Sequence, residues 1–221
     1  RDTNSPVCQD TGLAVVFLEI GQDVALSGKY VEDAVNDGVR QAYENFRKSS
    51  VHPLSRKNSG DNTPAIIHTR VVKGDKVKVS CMMKGFGSEN MSRLFMLTPA
   101  DGVEGVVEKV VETVKDAGSC PCPPVILGVG VGGTMEKAAI MSKHALLNDL
   151  DKENPDEYLS SLENEMLEKI NALGIGAEGF RGDVTALRVF IETENTHIAG
   201  LPVAVTVQCH CSRHGERIIE G

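Results

Sequence analysis

The chain has 221 residues, 41% of them hydrophobic, with a net charge of −8 and no basic run. This composition supplies one sizeable core, lacks the positive field on which nucleic-acid binding depends, and presents an acidic surface that anionic lipid repels. No apolar run approaches the length that crosses a bilayer and no charged leader opens the sequence, so a cytoplasmic chain is expected, with its six cysteines kept as thiols.

Residues 13–20 are rich in β-formers and stop at Gly21, which predicts a strand. Val31, Ala34, Val35, Val39, Ala42, Tyr43 and Phe46 follow at the spacing of one helical face. The stretch SSVHPLSRKNSGDNTP carries Pro, Gly, Asn and Asp at a density that only a loop accommodates, and a loop this long in a compact domain is usually functional or disordered. AIIHTRVV and KVKVSCMMK flank KGD and read as a hairpin, and GFGSENMSRLF reads as a glycine turn into a short helix. Val103, Val106, Val107, Val110, Val111 and Val114 share a face, with Asp101 placed to cap and Gly118 to stop, so a helix spans 102–117. CPCPP leads into a buried strand, VILGVGVGG, and then a helix to about residue 149. Asn154-Pro155 opens another helix, with Leu159, Leu162, Met166, Ile170 and Leu173 inward and Gly174 as its end. ALRVFIE and PVAVTVQC are the last strands. Strands alternating with helices predict an α/β fold, a mixed sheet flanked by helices, in a single domain over residues 1–221.

Three thiols share a setting. Cys8 precedes a strand, Cys122 stands before a Pro-Pro that opens one, and Cys209 ends one. Strand ends offer held backbone, which suits a metal site, although most free cysteines simply pack. A zinc-stabilised, non-catalytic module would use Cys120, Cys122, Cys209 and Cys211, but both pairs are one residue tighter than the usual knuckle spacing, a constraint that an iron–sulfur cluster does not share. Cys122 directly precedes proline, which favours extended backbone there. The glycines of GVGVGGT suggest a phosphate loop, yet lack its Lys-Ser/Thr ending, and close strand–helix packing is the simpler use. Arg47, Arg56 and Lys57 flank the long loop, where a guanidinium fork can take a carboxylate or stay solvated. His197, in NTHIAG, is either an acid–base group or a capped turn residue.

PVCQDTG, RKNSGDNTP, KGFGSENMSRL, CPP followed by GVGVGGT, and HIAGLPVAVTVQC stand in this order, and the chain resembles the α subunit, or N-terminal catalytic domain, of the class I fumarase and L(+)-tartrate dehydratase family. The resemblance covers nearly the whole chain. It implies an oxygen-sensitive hydro-lyase carrying a 4Fe-4S cluster on Cys8, Cys122 and Cys209. It assigns Gln9, Asp10, Arg47 and Gly85 to the dicarboxylate substrate, and Asp10 with His197 to proton transfer. It also implies a β subunit that completes the site in a hetero-oligomer and supplies the base. Malate to fumarate is the expected reaction, with tartrate as the alternative.

Overall fold

The structure is a computed structural model describing residues 8–220, so Pro6 and Val7 of the opening motif lie outside the described residues. The elements are β1 (Leu13–Gly21), α1 (Val31–Ala42), β2 (Ile66–Val72), β3 (Lys76–Lys84), α2 (Phe86–Glu89), β4 (Arg93–Leu97), α3 (Gly102–Ala117), β5 (Val125–Gly132), α4 (Met135–His144), α5 (Glu157–Asn171), β6 (Ala186–Glu194), β7 (Leu201–Gln208) and β8 (His214–Glu220). They form two mixed four-stranded sheets, and the expected α/β class holds. The chain divides into two compact units: one runs to Phe86 and resumes at Arg213, the other is Gly87–Ser212.

In the first unit the order is β2-β1-β3-β8, with β1 parallel to β2 and antiparallel to β3. The expected hairpin of β2 and β3 therefore does not form. β1 carries the most continuous apolar run of the three strands and takes a central place, hydrogen-bonded to β2 on one edge and β3 on the other. Ala14, Val16 and Leu18 pack with Val39 and Tyr43 of the α1 segment, while Val15 and Phe17 are buried as well. The β2–β3 turn instead crosses the end of β1: a Cβ on Gly21 would lie 2.4 Å from the Gly74 carbonyl oxygen. Phe46, expected on the α1 face, lies past the helix end and is exposed.

In the second unit the order is β4-β7-β5-β6, with only β5 and β6 parallel. Valines 106, 107, 110 and 114 of α3 join Met166 and Ile170 of α5 on the face bearing Val125, Leu127 and Val129. The α3 bounds match the expected 102–117, and Gly118 ends the helix at φ 54°. Asp101 does not cap it; its carboxylate instead takes the Thr98 N–H and hydroxyl. α5 starts two residues later than Pro155, because Asp156 accepts the N–H groups of Tyr158 and Leu159. Two strands escaped the pattern reading: β4, which begins inside the stretch expected as a glycine turn and helix, and β8, a charged edge strand.

The alternate face of β5 carries Gly128 and Gly130 against α4. A Cβ there would meet Ser142 O at 1.9 Å and Ala138 O at 2.1 Å, so the glycines of GVGVGGT serve close strand–helix packing, as expected. Gly130→Ala should lower stability by about 3 kcal/mol, since a rigid carbonyl cannot yield as a side chain would. Gly38→Ala, at an exposed α1 position with nothing within 4 Å, should raise it by about 0.5–1 kcal/mol. Denaturant midpoints of the two variants check both signs.

Candidate active site

The segment Cys8–Gly12 is fixed through its own main chain. The Cys8 Sγ accepts the Asp10 N–H at 3.3 Å, and Asp10 Oδ1 accepts the Gly12 N–H at 2.8 Å. Arg213 Nη1 donates to the Asp10 carbonyl at 2.8 Å. The Tyr43 hydroxyl donates to the Thr11 carbonyl at 2.8 Å; burial pushes its pKa up to about 12, so it remains a donor throughout the neutral range. Thr11 Oγ1 donates to the Arg47 carbonyl at 3.0 Å, which ties the cysteine segment to the loop after α1.

That loop is itself organised around a fully buried amide. Asn62, at φ 62°, accepts the N–H groups of Ser49 and Ser50 at 2.6 and 3.1 Å and donates to the Arg47 carbonyl at 3.1 Å. Asp61 beside it accepts from the Thr63 hydroxyl and N–H and pairs with Arg40; the Thr63 bonds, then the guanidinium, hold its pKa at about 2. RKNSGDNTP is thus an ordered loop. It holds the Arg47 main chain while leaving the Arg47 side chain exposed, its guanidinium without an ion pair or hydrogen bond among the described residues.

Gly85 completes this cluster. Phe86 N–H donates to Asp10 Oδ2 at 2.8 Å, and a Cβ on Gly85 would lie 3.2 Å from the same oxygen. The first unit therefore brings together Cys8, Asp10, the Arg47 main chain and Gly85, with Gln9 exposed between the first two.

In the second unit Cys122 and Cys209 share one end of the sheet. Cys122 precedes β5, Cys209 follows β7, and Ile126 pairs with Gln208. His210 Nδ1 lies 3.1 Å from the Cys122 carbonyl oxygen. Cys122 is exposed at φ 55°, in the left-handed region and not the extended one expected before proline, because its N–H turns back to Ser119 O. A strained non-glycine conformation of this kind concentrates at functional sites.

His197 is not brought to that end. It lies in the β6–β7 connection, so the eight residues of β7, about 25 Å of strand, separate it from Cys209. Its Nδ1 accepts the Ala199 N–H at 3.2 Å, and its ring borders an apolar cavity of ≈ 400 Å³ lined by Val103, Leu162 and Ile198.

All six cysteines are free, and among the described residues no three His, Cys, Asp or Glu side chains are gathered as a ready ligand set, including the four thiols of the zinc alternative. Cys8, Cys122 and Cys209 are free thiols, of the chemistry that would hold an iron–sulfur group, and the Cys8 sulfur accepts a main-chain N–H of the kind that tunes cluster sulfurs. The pattern reading missed Asn62, Tyr43 and Lys84. Asn62 was legible only as a polar residue inside a motif, and Tyr43 was read as an apolar contact of its helix.

The family model described as fumarate hydratase (fumerase) matches residues 1–218. A Methanocaldococcus jannaschii protein provisionally named as an L(+)-tartrate dehydratase subunit alpha is 43% identical over 229 residues, covering 100% of this chain and 80% of the relative. The L(+)-tartrate dehydratase subunit alpha of Escherichia coli O157:H7 is 32% identical, covering 99% of this chain and 74% of its own length. With the Asp10 carboxylate of its opening motif clasped to Phe86 N–H and residues 1–218 matched, the chain belongs to the fumarate hydratase (fumerase) family of hydro-lyases.

Proposed function

We propose that this chain is the catalytic α subunit of an iron–sulfur hydro-lyase that reversibly dehydrates a 2-hydroxy dicarboxylate, with malate to fumarate as its reaction. The observation that carries the reading is the Asp10 carboxylate, held between two main-chain N–H groups two residues from a free thiol. Cys8, Cys122 and Cys209 are the ligands we assign to a 4Fe-4S cluster. When bound, such a cluster supplies a Lewis-acidic iron with an open position for substrate oxygen.

The remaining work falls to the side chains of this subunit and its partner. The exposed guanidinium of Arg47 takes one terminal carboxylate by its planar fork. Gln9 offers a donor and an acceptor to the substrate, and the bare Cα of Gly85 leaves room beside Asp10. Each Asp10 oxygen accepts one N–H and keeps a second lone pair. Through that lone pair it relays a proton to the departing hydroxyl, so that the C–O bond breaks with water as the leaving group. The proton on the neighbouring carbon goes to a base that we assign to a second subunit, in keeping with relatives named as alpha subunits. His197, which the resemblance pairs with Asp10 for proton transfer, is separated from Cys209 by the length of β7. L(+)-tartrate is the second reading, favoured by the names of those relatives.

The pair of subunits, purified without oxygen, should dehydrate malate with a higher kcat/KM than L(+)-tartrate; the reverse order selects the second reading. Asp10→Asn should lower kcat by about 10²-fold or more, the usual contribution of a positioned acid, with iron and sulfide content unchanged. Arg47→Ala should instead raise KM about tenfold with kcat little affected, if the carboxylate contact is equal in ground and transition states. Cys122→Ser should lose acid-labile sulfide on anaerobic reconstitution, whereas Cys120→Ser should retain it.

A further inference from the structure

Lys84 is the largest fully buried side chain among the described residues, 1% exposed at the end of β3. A lysine is seldom taken out of water without a polar purpose, because desolvation penalises its charge. Its Nζ donates to the Gly85 carbonyl at 3.0 Å. That carbonyl belongs to the same peptide unit as the Phe86 N–H, which donates to Asp10 Oδ2 at 2.8 Å. In a trans peptide the C=O and N–H point to opposite sides of one rigid plane. Lys84 and Asp10 are therefore joined through a single peptide unit, with the ammonium on its negative end and the carboxylate on its positive end. Hydrogen bonds in series polarise one another, and they do so more strongly away from water.

We propose that Lys84 is a positioning residue that fixes and polarises the Gly85–Phe86 peptide, so that Phe86 N–H holds Asp10 Oδ2 in its working orientation. The proposal rests on the reading of Asp10 as the substrate-facing acid. Three features of the fold support it. Leu13 pairs with Lys84 across β1 and β3, so the lysine starts beside the strand that Asp10 leads into. Gly12 packs its Cα against the Lys84 main chain, where a Cβ would lie 3.0 Å from the Lys84 carbonyl oxygen. Arg213 holds the Asp10 carbonyl and, through its own carbonyl, the Met83 N–H, which fixes the residue before Lys84 in the same frame.

The test has a spectroscopic arm and a kinetic arm. In the isotope-labelled full chain, a scalar coupling between the Lys84 ζ-nitrogen and the Gly85 carbonyl carbon is expected, and its absence would overturn the proposal whether or not any variant folds. In the assembled enzyme, Lys84→Met should lower kcat by about 10²-fold, the cost of a misplaced reacting group, with KM changed less than about threefold. Lys84→Arg, which keeps a donor for the Gly85 carbonyl, should recover most of that loss. Asp10→Asn is measured alongside. If it is impaired and Lys84→Met is not, the positioning role is wrong while the Asp10 reading stands. If Asp10→Asn is unimpaired, the Asp10 reading fails and takes the role of Lys84 with it.

Discussion

The carboxylate of Asp10 is a clasp between segments 76 residues apart in sequence, with one oxygen on Gly12 N–H and the other on Phe86 N–H. Without it the approach to β1 keeps only the bonds of Arg213, Tyr43 and Thr11 to set against the ordering entropy of a glycine-containing segment outside the sheet. With it, each neighbour acquires a fixed partner: the Cys8 sulfur takes the Asp10 N–H, the Asp10 carbonyl takes Arg213, and the Thr11 carbonyl takes Tyr43. The same acidic residue that we assign to proton transfer thus also organises the backbone around it. Preorganisation of this kind lets a reacting group meet substrate with little rearrangement.

The first unit reaches this end through two different kinds of constraint. The sheet is centred on the continuous apolar run of β1, which lies between β2 and β3. The loop after α1 is set by polar side chains that replace the missing ladder: Asn62 closes on three main-chain groups, and Asp61 on Thr63. A fully buried amide works here because every contact it makes is a bond that water would otherwise have supplied.

Much of this was legible in the sequence wherever one periodicity dominated. The valine stripe of α3 and the runs of β1, β5, β6 and β7 are self-announcing, since burial on one or both faces leaves a pattern no loop imitates. β4 and β8 were not: β4 (RLFML) is too short to show a period, and β8 (HGERIIE) is an edge strand whose charges read as loop. The hairpin expectation failed for a related reason: a Gly-Asp turn between two strands says that the chain reverses, not that the two strands become neighbours. Of the residues gathered around Asp10, Cys8 and Gly85 stand in motifs that drew attention to them, whereas the buried Lys84 was passed over. A lysine at a strand end is ordinarily a solvated charge, and only the geometry reveals the peptide it serves.

The bare contact of β5 with α4 has its own consequence. Elsewhere in the second unit the spacing of layers is a sum of side-chain volumes and can drift as those volumes change. At Gly128 and Gly130 backbone meets backbone, and the Ser142 and Thr206 hydroxyls join α4 to β7 at 2.7 Å. The depth of this helix is thus a hard stop, of low compressibility and indifferent to the composition of the valine-rich layer opposite. Core residues there can be exchanged for others of similar bulk while the strand that follows Cys122 keeps its place.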